Sequence, residues 1–260
     1  MVRYTIIFAC VVAAVAPVAT RASQDAKPQA AKAAAPNPAD EKLAALLEDI
    51  DRRAGRAADL AGRFRQEKHT ALLKRPMVSA GRIRMKGPVV RWDTESPEPG
   101  VLYSDGREIR MYYPRQSTVE VYPIDQRLSD LAASPLPRLA VLRQHFRIEP
   151  APPDPQRGTR RPDPEQLEIR LTPNDTYLAQ HVEEVRVTLD TAAARVTAVD
   201  MLDTDGDRTL IRFTDLKTDT GIRDRDLDLV LPAGTKVSRP LDGVQGGDDA
   251  NHARQGGGKQ

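Results

Sequence analysis

The sequence predicts a mainly β fold with some α: an incomplete antiparallel β-barrel of about ten or eleven strands, covered by about three helices. Two observations carry this prediction. Between residues 64 and 123, apolar and polar residues alternate with period two: Gly81, Ile83 and Met85 against Arg82, Arg84 and Lys86, Val90 and Trp92 against Arg91 and Asp93, Ile109, Met111 and Tyr113 against Arg110 and Tyr112. A strand with one buried and one wet face has this pattern. Turn signals fall between the runs: Gly87-Pro88, then Pro97, Pro99 and Gly100, then the hairpin dipeptide Asp105-Gly106, then Pro114-Arg115-Gln116.

In chain order, Arg3 and a short apolar run over residues 6–16, broken by Pro17 and Arg21, read as a secretory signal cleaved after Thr20-Arg21-Ala22. A bilayer-spanning helix needs about 20 apolar residues, and no later stretch supplies them. Cys10, the only cysteine, admits two readings: a lipoprotein box lipidated at Cys10, or an ordinary apolar residue of the signal. Few apolar residues precede it, which favours the second; the mature protein then has no disulfide and stands on its core alone. Residues 23–39 are rich in Ala, Pro, Gln and Lys and read as a disordered tether, residues 241–260 as a disordered tail. Residues 40–240 remain as one domain.

From Asp40 the period becomes helical. Leu43, Leu46, Leu47 and Ile50 fall on one face, Asp40 is placed to cap, and Ala54, Ala57, Ala58 and Ala61 extend the stripe with small residues, so a helix over 40–58 is expected to pack on the sheet. After the first run of strands, Leu128 and Leu131, then Leu136, Leu139 and Leu142, suggest two short helices divided by Pro135 and Pro137. They suit either a lid or ordinary covering helices. Residues 149–165 are a Pro-, Arg- and Asp-rich loop, after which alternation resumes: Leu167, Ile169, Leu171, then Val185, Val187, Leu189, then Val199 and Met201, then Ile211 and Phe213, then Leu227, Leu229, Leu231.

Candidates for chemistry are few. The four histidines (His69, His145, His181, His252) have no metal-ligand spacing, and no thiol follows the signal. No nucleophile elbow, phosphate loop or dinucleotide fingerprint occurs. Asp203-Thr204-Asp205-Gly206-Asp207 resembles a calcium loop, but Met201 and Arg212 stand where two essential carboxylates are needed, so it reads as a hairpin turn without a metal. A formal net charge of +2 gives no footprint for nucleic acid. With 40% hydrophobic but only 4% aromatic residues, the core must be aliphatic. No catalysis and no cofactor are expected. A long aliphatic face covered by a few helices is a place for lipid: burying an acyl chain gains ~0.8 kcal/mol per CH₂, of the order of 10 kcal/mol for about sixteen carbons.

One ordered series carries a family resemblance. Phe64 and Gln66, Gly81 and Ile83, Lys86, Pro88, Arg91 and Trp92, Ser104-Asp105-Gly106, Tyr112-Tyr113-Pro114, and more loosely the ending with Pro232, Gly234 and Val237 resemble the periplasmic outer-membrane lipoprotein carrier family, LolA-like. The resemblance implies a half-barrel with helices as a lid. It also implies a carrier that takes acylated lipoproteins from an inner-membrane lipoprotein-releasing transporter and passes them across the periplasm to an outer-membrane acceptor. In that family a Lys-Arg-Pro arginine tethers the lid; here the string is Lys86-Gly87-Pro88, and Arg91 or Arg84 is the candidate replacement latch. The expected lipid-binding face comprises Ile83, Met85, Val90, Trp92, Ile109, Met111 and Val185, with Leu136, Leu139 and Leu142 on the covering helices. The expected state is a monomer whose partners are acylated lipoproteins or lipids. A free-lipid carrier, or a sensor module using the same sheet to bind a protein, is the alternative.

Overall fold

The computed structural model describes residues 38–123, 136–152, 165–174 and 176–240. The expected signal, most of the tether, the helix around Leu128 and Leu131, most of the Pro-rich loop and the tail lie outside them. The described elements are α1 (Pro38–Ala54), β1 (Asp59–His69), β2 (Met77–Lys86), β3 (Val89–Ser96), β4 (Gly100–Ser104), β5 (Glu108–Tyr113), β6 (Thr118–Pro123), α2 (Leu139–His145), β7 (Phe146–Pro150), β8 (Gln166–Pro173), the single turn α3 (Thr176–Ala179), β9 (Val182–Asp190), β10 (Arg195–Asp203), β11 (Arg208–Thr218) and β12 (Lys236–Ser238).

All twelve strands join one open, curled sheet in the order β12-β6-β5-β4-β3-β2-β1-β11-β10-β9-β8-β7. It is two antiparallel meanders, β1 to β6 and β7 to β11, zipped together where β1 pairs with β11, with Phe64 opposite Phe213. The outermost strands are β12 and β7, so the barrel does not close.

Burial follows the pleat. Leu60, Phe64, Ile83, Met85, Trp92, Leu102 and Ile109 from the first meander, and Ile169, Val187, Leu189, Ile211 and Phe213 from the second, form one cluster with Leu47, Ile50 and Ala54 of α1. This is the inner face. Trp92 is its centre, with ring centroids 4.6 Å from Phe64 and 5.7 Å from Phe213. Gly81 is required by close approach: a Cβ there would lie 2.0 Å from the Asp93 carbonyl oxygen. The arginines alternate onto the outer face, where they meet carboxylates: Arg63 and Arg82 on Glu95, Arg84 and Arg91 on Asp93, Arg208 on Asp200, and Arg170 and Arg186 on Glu184. The pairs on Glu95 are exposed and contribute little stability each; those on Asp93, Asp200 and Glu184 are largely covered.

The structure corrects four expectations. The described strands number twelve rather than ten or eleven, because Phe146–Pro150 pairs with β8 and Lys236–Ser238 adds to β6. That last pairing is parallel, an exception to the antiparallel rule. The expected strand at Leu227, Leu229 and Leu231 does not form; Leu227 is buried and Val230 is 82% exposed, because the segment crosses the outer face and is held by side chains instead of a ladder. Finally, α1 begins at Pro38, before the expected cap at Asp40, and ends at Ala54. Proline fits the first helical turn, and at the other end Gly55 N–H donates to the Asp51 carbonyl while β1 pairing begins at Asp59, opposite Lys86. Ala57, Ala58 and Ala61 therefore leave the helical stripe, and Leu46 is 38% exposed.

Asp59 fastens the C-terminal segment to the sheet. The carboxylate is 3% exposed, and it accepts from the Thr220 N–H and hydroxyl at 2.7 Å each, Gly221 N–H at 2.8 Å and Ile222 N–H at 2.9 Å. Burial pushes its pKa up, but the hydrogen bonds from Thr220, Ile222 and Gly221 together outweigh burial and hold it below its ordinary 3.8. Asp59→Ala leaves three backbone N–H groups without their acceptor and is expected to lower stability by about 2–4 kcal/mol in chemical denaturation. Since the folded pKa is depressed, the contribution is present above the unfolded value of 3.8 and is lost as pH falls through the folded one. Asp59→Asn should therefore flatten the acid limb of a stability-versus-pH curve.

Candidate functional site

The ten residues expected to contact lipid come together on the inner face and its helical cover. Ile83, Met85, Val90, Trp92, Ile109 and Leu139 are buried; Met111, Val185, Leu136 and Leu142 are partly buried and pack against them, although Leu136 lies in the bend ahead of α2 and not on a covering helix as expected. Register explains the convergence. Ile83 faces Trp92, Trp92 faces Leu102, and Leu102 faces Met111, one apolar row running across β2 to β5, with Met85 facing Val90 in the next row. On the far side Val185 lies opposite Met201 and Leu171. The five buried strand residues form the floor, Leu139 closes on it from α2, and the four partly buried side chains form the rim.

Two helices cover this floor, and a carboxylate ties them together. Asp51, on α1, accepts from Leu139 N–H at 2.8 Å with Oδ1 and from Ala140 N–H at 2.7 Å with Oδ2. These are orphan donors of the first turn of α2, which has no side-chain cap of its own. Arg143 of α2 returns to α1, donating to the Ala44 carbonyl at 3.3 Å. Two residues after Asp51, Arg53 donates to the carbonyls of Ala192 and Thr191 in the β9–β10 turn, at 2.9 and 2.7 Å.

Arg84 and Arg91, the expected replacement latch, lie on the opposite face. Arg84 donates to Asp93 at 2.6 Å and to the Asp226 carbonyl at 2.7 Å; Arg91 donates to Asp93 at 2.9 Å and to the carbonyls of Leu227 and Asp228. Burial pushes the Asp93 pKa up, and the hydrogen bonds and charges of Arg91 and Arg84 outweigh it and hold it below the ordinary range. These arginines strap the C-terminal segment to the outer face, where the pleat sends every side chain alternating with Ile83, Met85, Val90 and Trp92. The covering helices are linked by Asp51, with Arg143 returning to Ala44.

At one end the inner face turns polar. Glu120 lies opposite Met111 on β6 and accepts from the Tyr113 hydroxyl at 3.2 Å and the Tyr122 hydroxyl at 2.9 Å. Burial and the Glu120 carboxylate raise the pKa of both phenols, that of Tyr122 to about 12. Sequence reasoning missed Glu120, Asp51 and Asp59. For Glu120 a signal existed, since period two places it inward with Tyr122; for the two aspartates none did, because their partners lie 88 to 163 residues away. Asp203 accepts from Asp205 and Asp207 N–H groups at 3.1 and 2.8 Å, which makes the calcium-like string the β10–β11 turn. Among the described residues no cluster of three or more metal-ligating side chains occurs.

A curled, open sheet with one apolar face, covered by two linked helices, defines a half-barrel of the lipid-carrier type. The family model described as "Outer membrane lipoprotein carrier protein LolA" matches residues 56–225, and the chain belongs to that family. The outer-membrane lipoprotein carrier protein of Chromohalobacter salexigens is 28% identical over 203 residues, covering 76% of this chain and 86% of that one. That of Pseudomonas aeruginosa is 25% identical over 186 residues, 70% and 82% of the two chains. Among solved structures, an uncharacterized conserved protein from Thermus thermophilus superposes with a TM-score of 0.48 at 11% identity, covering 76% of this chain and 99% of that one. No helix among the described residues is long and apolar enough to cross a membrane.

Removing the Asp51 link has a defined consequence. Asp51→Ala should cost about 1 kcal/mol, the typical value of a lost helix cap. In hydrogen exchange, the amides of Leu139 and Ala140 should lose protection while those of β1 and β2 keep theirs.

Proposed function

We propose that the protein is a periplasmic carrier of acylated lipoproteins, holding acyl chains on the inner face between the sheet and α1 and α2. The observation that supports this most is the convergence of all ten predicted apolar residues on one covered face in a chain of the carrier family. Residues 40–240 are the carrier domain, residues 1–22 direct export, residues 23–39 serve as a tether and residues 241–260 are a tail. Delivery runs from an inner-membrane releasing transporter to an outer-membrane acceptor, with the protein acting as a monomer and without catalysis.

Magnitudes favour opening of the helical cover. Separating α1 from α2 costs the two Asp51 hydrogen bonds and the one from Arg143 to the Ala44 carbonyl, about 2–5 kcal/mol together, plus exposure of apolar helix faces that the acyl chain then covers again. One chain of about sixteen carbons returns of the order of 10 kcal/mol gross. The rim residues Met111, Val185, Leu136 and Leu142 are where a chain enters, and the unbranched Met111 and Met201 adapt to its shape.

The deciding experiment is native mass spectrometry of the protein purified from the periplasm, before and after incubation with membranes carrying acylated lipoproteins. A co-purifying acylated protein or lipid is expected. A clean apo mass after incubation rejects the carrier reading and leaves a partner-binding module on the same fold. Met111→Asp places a charge at the rim and should abolish the retained acyl mass while leaving a cooperative thermal transition.

A further inference from the structure

Five buried polar side-chain atoms among the described residues have no hydrogen-bond partner. Three are Nε atoms of Arg84, Arg170 and Arg195, whose guanidinium groups are bonded through other nitrogens. The remaining two, Gln66 Oε1 and Thr94 Oγ1, belong to residues only 4% exposed. A buried polar atom left unpaired is costly, and in a binding protein a ligand is a physical reason for it.

Their placement supplies that reason. Gln66 is the next inner-face residue of β1 after Phe64, and Thr94 the next of β3 after Trp92. Phe64 and Trp92 are in ring contact, and between them β2 offers only Gly81, opposite both Phe64 and Thr94. Beyond lie Ser79, opposite Gln66, and on the same face Lys68, paired with Asp207 at 3.3 Å. The apolar floor therefore ends at one level in an unpaired carbonyl oxygen and an unpaired hydroxyl. This is the boundary that an amphiphile's head group occupies when its chain lies on the floor.

The donor and acceptor types narrow the chemistry. The Gln66 oxygen accepts only and needs an N–H or O–H, while the Thr94 hydroxyl can donate to a carbonyl. A secondary amide supplies both; an ester has no donor. We propose that Gln66 and Thr94 form a head-group site for the amide linkage of an N-acylated ligand whose chain lies over Phe64 and Trp92. This rests on the acyl-binding reading above and adds to it the chemical class of the linkage.

N-methyldodecanamide and methyl dodecanoate differ only by N–H for O and serve as probes. Trp92, the single tryptophan of the chain, reports their binding through its emission. The native protein should bind the amide about five- to tenfold more tightly than the ester, the size of the one net hydrogen bond, amide N–H to Gln66 Oε1, that the ester lacks. Gln66→Leu should remove that preference with ester affinity unchanged, Thr94→Val should weaken both probes alike because each carries the carbonyl it would donate to, and thermal stability should be equal or higher in both because orphan polar atoms are gone. Gln66→Met, close in shape, replaces Gln66→Leu if the latter does not fold. Equal affinity of the native protein for both probes, a preference that survives the Gln66 substitution, or a shared loss of stability in Gln66→Met and Thr94→Val would each overturn the head-group site while leaving the carrier reading intact. Binding of neither probe would overturn both.

Discussion

The pairing of β1 with β11 is the constraint on which the molecule depends. It brings residues 60–69 against residues 208–218 and turns two meanders into one sheet. Because the pleat is continuous across that seam, Phe64 and Phe213 fall on the same side with Trp92 beside them, and there is a single inner face instead of two half-cores. Loop closure over such a distance costs entropy that grows slowly with length, and it is offset only once the apolar cluster on both sides has assembled. Asp59 sits at the end of the same seam and fixes the segment that follows β11 with four hydrogen bonds.

From that seam the two faces diverge. The outer face carries arginine–carboxylate pairs in register across neighbouring strands, together with the C-terminal segment strapped down by Arg84, Arg91 and Lys86. The inner face is closed by α1 and α2, which are linked by one aspartate that accepts from two backbone N–H groups and by Arg143 donating to the Ala44 carbonyl. Their contributions differ in kind. The outer straps are spread over many partly exposed charges, so loss of one is absorbed; the inner link is small and local, so it can open without disturbing the sheet.

This division suits a carrier. A binding face built from the hydrophobic core must be protected when empty and accessible when a chain arrives. An open sheet edge and a cover tied by a minor interaction meet both needs, with the apolar gain of the ligand far exceeding the cost of release of the cover. The polar level at Gln66 and Thr94 then bounds how far an apolar chain runs before a head group is required.

The sequence by itself determined the strands of the first meander, the amphipathic helix and the apolar set around Ile83, Trp92 and Met111, because period two and period 3.6 are local and survive without knowledge of partners. The same locality explains its failures. Leu227, Leu229 and Leu231 alternate like a strand, yet this segment is held by arginines 136 to 142 residues upstream, and nothing within it records that. Arg84 and Arg91 could be named as candidates from the family resemblance, but which face they served, and that Asp51 holds the covering helices, followed only from the register of the assembled sheet. Tertiary structure decided the seam, the straps and the link between the helices, since each joins groups too far apart in sequence for any local pattern to encode.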